Sequence, residues 1–143
     1  MSEAVKIVEA LWDTHRQSLL AVRTKVFVEE QNVPASMEVD EYDEVSIHVL
    51  ALDPDDNPIG TARLLPAGKI GRVAVLKEWR KSGVGRAMMI RLIEIAKQRG
   101  DTELILHAQT WTIPFYRSLG FTAEGDEFDE AGIPHRKMRR IPV

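Results

Sequence analysis

The sequence predicts one α/β (α+β) domain spanning residues 1–143, built on a mixed central sheet. Strand-like apolar runs at 46–52, 59–65 and 70–76 follow one another with only turn-forming residues between them, the pattern of an antiparallel meander. A long helical periodicity then begins at Val84, and the later strands are reached through helices, which gives the order β-α-β-β-β-α-β-α-β-β and forces at least one parallel pairing. At 143 residues, with 44% hydrophobic and 29% charged side chains, the chain is long enough to bury a single core without staples.

Each element has a local cause. Residues 5–10 read as a short strand, and Asp13 or Thr14 is placed to cap a helix carrying Leu19, Leu20, Val22, Val26 and Phe27 on one side. Pro34 closes that helical region, and an acidic loop (Glu38, Asp40, Glu41, Asp43, Glu44) follows it. The cluster at 53–58, with two prolines, three aspartates and an asparagine, is a turn that returns 59–65 beside 46–52. From Val84, apolar residues at Ala87, Met88, Leu92 and Ile95, and at Met89, Ile93 and Ala96, form the broad stripe of a helix lying on a sheet; Lys97, Arg99 and Gly100 end it. Residues 104–108 read as a buried strand and 113–119 as a short amphipathic helix. The tail alternates weakly to Phe128, turns near Gly132 and runs on from Arg136 to Ile141.

Composition excludes several function classes. The chain has no cysteine, which removes disulfides, thiolate metal sites and a cysteine nucleophile. The four histidines are scattered without chelating spacing, so no metal is expected. No apolar run approaches transmembrane length and the first ten residues lack a signal-peptide layout, so the expectation is a cytoplasmic protein without membrane association. The net charge of −3 divides unevenly: residues 1–60 hold 13 Asp/Glu against 4 Lys/Arg, and residues 61–143 hold 9 against 15. That polarity suits an acidic mouth for a cationic substrate beside a basic seat for an anionic one. Without a long basic run, nucleic acid is not an expected partner.

The segment Arg80, Lys81, Ser82, Gly83, Val84, Gly85, Arg86 lies where the third meander strand feeds the long helix. Glycines admit close approach of a ligand to backbone, and the first helical turn offers N–H groups with no internal partner. A first turn ordinarily favours acidic residues, yet Arg80, Lys81 and Arg86 gather there, so the sequence expects an anion. A P-loop is ruled out by the missing Gly-Lys-Ser/Thr. A dinucleotide fingerprint is ruled out by Met88 in place of a third glycine.

Arg80-x-x-Gly83-x-Gly85 resembles the acetyl-CoA-binding motif of the GNAT superfamily of N-acetyltransferases. The preceding Arg72-Val73-Ala74-Val75-Leu76 and the later Pro114-Phe115-Tyr116-Arg117-Ser118-Leu119-Gly120-Phe121 are similar to the neighbouring signatures of that family. Arg23-x-x-Val26-Phe27-Val28-x-Glu30-Gln31-x-Val33-Pro34 and 131–135 resemble a bacterial ElaA-like branch. The resemblance implies the GNAT fold, with six to seven strands flanked by about four helices and a splay between strands four and five. It implies acetyl-CoA as donor, with Val73, Ala74 and Val75 along the pantetheine arm and Arg80 to Arg86 around the pyrophosphate. It also implies direct attack by a primary amine, an oxyanion held by a backbone N–H near Val75, and Tyr116 protonating the departing thiolate.

An alkylammonium must lose a proton before it attacks, so a base or water relay is needed. Candidates are Glu29, Glu30, Glu38, Asp40, His48, His107 and His135; His107 is placed with the catalytic residues because alternation sets it beside Gln109 on the splayed strand. Glu30, Gln31, His48, Gln109 and His135 are the expected acceptor-binding set. The acceptor is a small-molecule or peptide amine, and the protein a monomer or homodimer. Two other readings are an acyl-CoA-binding module without turnover and, from Arg23-x-x-x-Phe27, a relative of acyl-homoserine lactone synthases.

Overall fold

A computed structural model describes residues 5–143 and holds one seven-stranded sheet in the order β1-β2-β3-β4-β5-β7-β6. The strands are β1 (Lys6–Ala10), β2 (Ile47–Leu52), β3 (Pro58–Leu64), β4 (Lys69–Val75), β5 (Leu104–Gln109), β6 (Thr122–Glu130) and β7 (Ile133–Arg140). The helices are α1 (Trp12–Arg23), α2 (Ala35–Glu38), α3 (Val84–Arg99) and α4 (Ile113–Arg117). All pairings are antiparallel except β4 with β5, which run parallel and share only two register pairs, Lys69 with Ile105 and Ile70 with Leu106. Beyond Ile70 the two strands part, as the GNAT resemblance implied.

Alternation along β2 explains the layering. Val49 and Ala51 face Met88, Met89, Leu92 and Ile93 of α3, whereas Leu50 faces Trp12 and Leu19 of α1, so one helix covers each side of the sheet. Burying each such Leu or Met contributes on the order of 1.5–3 kcal/mol.

Two local features depart from the sequence expectation. Helix α1 begins at Trp12, with Leu11 as its N-cap and no side-chain cap, so Asp13 sits within the first turn instead of capping it. The buried indole of Trp12, stacked on His48 with centroids 5.5 Å apart, draws the chain into the helix early. The end of α1 then widens into a π-helical segment, Thr24–Glu30, where Gln31 N donates to Val26 O. Val26 stays buried within this segment, and Glu30 ends it.

Three carboxylates of the acidic loop, Glu38, Asp40 and Asp43, turn inward. Arg23, fully buried, pairs with Glu38 at 2.7 Å and Asp43 at 2.8 Å; Arg63 grips Asp40 through both terminal nitrogens at 2.7 and 2.8 Å and also meets Asp43 at 2.8 Å. Arg72 reaches Asp40 at 3.1 Å and donates from Nε to the Glu38 carbonyl at 3.0 Å. Three guanidinium groups thus neutralise three carboxylates under the loop, and each is costly to leave without its partner. The acidic mouth that the charge polarity suggests is not built from Glu38, Asp40 and Asp43, which are paired within the fold; of the loop's five carboxylates only Glu41 and Glu44 are exposed.

The Arg63 hydrogen bonds hold the Asp40 carboxyl down at about 2, from an ordinary 3.8. A depressed folded-state value contributes stability above the unfolded value that is lost as pH falls toward the folded one. At about 1.4 kcal/mol per unit, the window between pH 4 and 2 should cost roughly 2 kcal/mol. Asp40→Asn should therefore lower stability at pH 7 and flatten the acid limb between pH 4 and 2, measured by urea unfolding across pH. An acid limb as steep as that of the wild type would contradict this.

Candidate active site

A cleft of about 1230 Å³ opens where β4 and β5 part. Val73, Ala74 and Val75 of β4 form one wall, the turn into α3 the floor, and His107, Gln109, Tyr116 and His135 the other wall, with Glu30 and Gln31 closing it from the end of the π-helical segment and the residue after it. Because pairing with β5 stops at Ile70, the edge of β4 from Gly71 to Val75 faces the cleft without a strand partner. An extended ligand can add there as though it were a strand.

The turn is shaped by backbone conformation. Lys81 (φ 63°) and Gly83 (φ 92°) both lie in the left-handed region, and Gly83 is the N-cap of α3, with neither a side-chain cap nor an acidic residue in the first turn. The first helical bond runs from Ala87 N to Gly83 O, so the N–H groups of Val84, Gly85 and Arg86 have no partner within the helix. A Cβ on Gly83 would meet nothing within 4 Å; there the glycine serves the dihedral. A Cβ on Gly85 would come 3.4 Å from Phe115 and 3.8 Å from Val75, at the edge of ordinary contact. Ser82 and Val84 offer only backbone, since the Ser82 hydroxyl donates to the Trp79 carbonyl and the Val84 side chain lies in the core. Lys81 and Arg86 make no ion pair among the described residues, and Arg86 donates a long bond of 3.4 Å to the Ser118 hydroxyl.

Arg80 already has an anionic partner within the chain. Its Nε donates to the Val75 carbonyl at 2.9 Å and its two terminal nitrogens bind the two oxygens of Glu30, each at 2.6 Å. Those hydrogen bonds lower the Glu30 carboxyl below its usual value.

On the opposite wall, Gln31 and Gln109 exchange reciprocal amide hydrogen bonds of 3.1 and 2.9 Å across the mouth. His107 Nδ1 meets Glu130 Oε1 at 2.9 Å, and its ring packs edge-on to Phe128, which stacks in turn on His135. His135 Nδ1 donates to the Ile133 carbonyl at 2.7 Å. Tyr116 is 7% exposed, wedged against Phe115 and Phe121, and its hydroxyl makes no hydrogen bond among the described residues. Burial raises its phenol well above the ordinary range, so it stays neutral.

His48 must be struck from the acceptor side. It is 1% exposed between Trp12 and the acidic loop, donates from Nε2 to the Asp43 carbonyl at 2.8 Å, and does not border the cleft; burial lowers its pKa and keeps it neutral. Glu38 and Asp40 border the cleft but are committed to arginines. Glu130 escaped sequence reasoning because β6 carries a register shift between Glu124 and Phe128, which alternation cannot foresee. Among the described residues no group of three or more His, Asp or Glu is arranged to hold a metal ion, and no helix is long and apolar enough to cross a membrane.

Residues 10–141 match the family described as acetyltransferase (GNAT) domain. A putative N-acetyltransferase from Lactobacillus plantarum superposes with a TM-score of 0.88 at 31% identity, covering 99% of this chain and 100% of that one. The crystal structure of Escherichia coli ElaA gives 0.84 at 29% identity, covering 95% and 99%. In sequence, the uncharacterized N-acetyltransferase YjcF of Bacillus subtilis is 42% identical over 123 residues, 83% of this chain and 87% of its own. A family match over nearly the whole chain, a full-length structural likeness and a cleft at the predicted splay agree: the chain belongs to the GNAT acetyltransferase family, among the relatives of ElaA.

Proposed function

We propose that the protein transfers an acetyl group from acetyl-CoA to a primary amine by direct attack in a ternary complex. The observation that carries this reading is the uncapped N-terminus of α3 opening onto the unpaired edge of β4. Three unpartnered N–H groups, two left-handed positions in the turn, at Lys81 and Gly83, and the side chains of Lys81 and Arg86 suit a diphosphate. The pantetheine arm then extends along Val73 to Val75, and its amides pair with the β4 edge.

The thioester carbonyl lies at the splay, where backbone N–H groups of β4 are free of β5 and can stabilise the oxyanion. His107, with Nδ1 held by Glu130, offers Nε2 to take the proton from the attacking amine. Tyr116 borders the same cleft as a neutral phenol and acts as hydrogen-bond donor to the departing sulfur. With no cysteine in the chain, transfer does not pass through an acyl-cysteine.

Gly83→Ala and Gly83→Glu share the dihedral penalty of about 1–2 kcal/mol, but only the second places negative charge in the anion seat. By calorimetry, Gly83→Ala should weaken acetyl-CoA binding modestly, and Gly83→Glu should abolish it while thermal unfolding remains cooperative. Retained affinity in Gly83→Glu would sink the donor assignment.

Tyr116→Phe should lower kcat by roughly 10²-fold with little change in KM for acetyl-CoA, measured by CoA thiol release against a panel of primary amines. Tight CoA binding with no turnover by the wild type on any amine would favour a binding module.

A further inference from the structure

Among the described residues, four carboxylates border the cleft and each is engaged: Glu38 with Arg23 at 2.7 Å, Asp40 with Arg63 at 2.7 Å, Glu130 with His107 at 2.9 Å and Glu30 with Arg80 at 2.6 Å. An acceptor ammonium therefore meets no uncommitted carboxylate. The four engagements differ in one respect. Arg23, Arg63 and His107 stand apart from the turn before α3, whereas Arg80 opens it, with Lys81 following and the three free N–H groups beyond. The Nε bond to the Val75 carbonyl anchors the guanidinium at the end of β4, and the face that would meet an anion is the face Glu30 occupies with both oxygens.

We propose that Glu30 is an internal stand-in for the donor's diphosphate: it holds Arg80 until acyl-CoA binds, and the diphosphate then takes the guanidinium and releases the Glu30 carboxylate to the cleft, where it receives the acceptor's ammonium. The inference rests on the acyl-CoA reading above. A diphosphate carries more charge than one carboxylate and has the helix N-terminus and Lys81 to bind as well, so the exchange runs in its favour. The Arg80–Glu30 pair is about a third exposed on both sides, 36% and 39%, which makes it breakable at small cost. Glu30 ends the π-helical segment, where side-chain reorientation disturbs no sheet register. The consequence is an order of binding: the donor creates the carboxylate that the acceptor requires, while the remaining cleft carboxylates stay locked.

The test is calorimetric titration of the wild type, Glu30→Gln, Arg80→Ala and the double variant with CoA and with inorganic pyrophosphate. Removing the competing carboxylate should tighten both ligands by roughly two- to fivefold in Glu30→Gln. The gain should vanish in the Arg80→Ala background, because the competition is for that guanidinium. In ¹³C-glutamate-labelled protein, the Glu30 carboxyl signal, assigned by its loss in Glu30→Gln, should titrate at higher pH when CoA is saturating. Weaker or unchanged CoA binding by Glu30→Gln, a gain that persists without Arg80, or an unmoved Glu30 titration would overturn the exchange while leaving the acyl-CoA reading intact. Failure of the wild type to bind CoA at all would overturn both.

Discussion

The fold turns on a bulge in β4. Thr61 pairs with Ala74 and Arg63 with Gly71, so two residues, Arg72 and Val73, stand opposite the single Ala62. Arg72 takes φ 51°, a conformation that costs an L-residue about 1–2 kcal/mol, and its guanidinium is fastened to the Met37 and Glu38 carbonyls and to Asp40. Those three bonds offset the strain and hold the bulge. The bulge re-aims the second half of β4 away from β5, and everything that makes the cleft follows: the free strand edge, the room beside Tyr116 and His107, and the angle at which β4 hands the chain to α3.

The same fastening explains why the acidic surplus of the first sixty residues does not become an acidic mouth. Glu38, Asp40 and Asp43 are consumed by Arg23, Arg63 and Arg72, and the cluster joins the end of α1, the loop after α2, and strands β3 and β4. A buried neutral cluster of this kind is a weak source of net stability, because desolvation offsets most of the Coulombic gain. Its value lies in geometry. It fixes where the loop after α2 sits over the bulge, and so sets that end of the cleft in rigid relation to β4.

Most of the fold was legible because its signals are local. The meander shows in the 53–58 turn and in apolar alternation, α3 in its stripe and its terminal Gly100, and the uncapped start of α3 in Gly83 with its basic neighbours. What the sequence hid depends on contacts distant along the chain. Nothing near Glu30 announces Arg80, fifty residues on, and nothing near Gln31 announces Gln109. His48 looked available because its strand neighbours were apolar on both sides; the partner that buries it, Trp12, belongs to another element. The π-helical widening of α1 carries no proline or glycine to mark it and is imposed by packing Val22 and Val26 against Ala74.

The floor of the cleft shows why sequence and structure agree best where the local choice is unfavourable. A sixteen-residue helix starting without a cap or an acidic first residue, next to Lys81 and Arg86, forgoes about 1 kcal/mol for the cap and some tenths for the dipole. Such a deficit survives only where something else uses the groups left open. Glu30 supplies part of that use from within the chain, which is why the protein can hold Arg80 in place without an external anion. The three N–H groups and Lys81 have no internal substitute among the described residues, so the turn keeps donors and a cation that the fold itself does not use. A strong local irregularity in the sequence and a partial internal remedy in the structure thus point at the same seat from opposite sides.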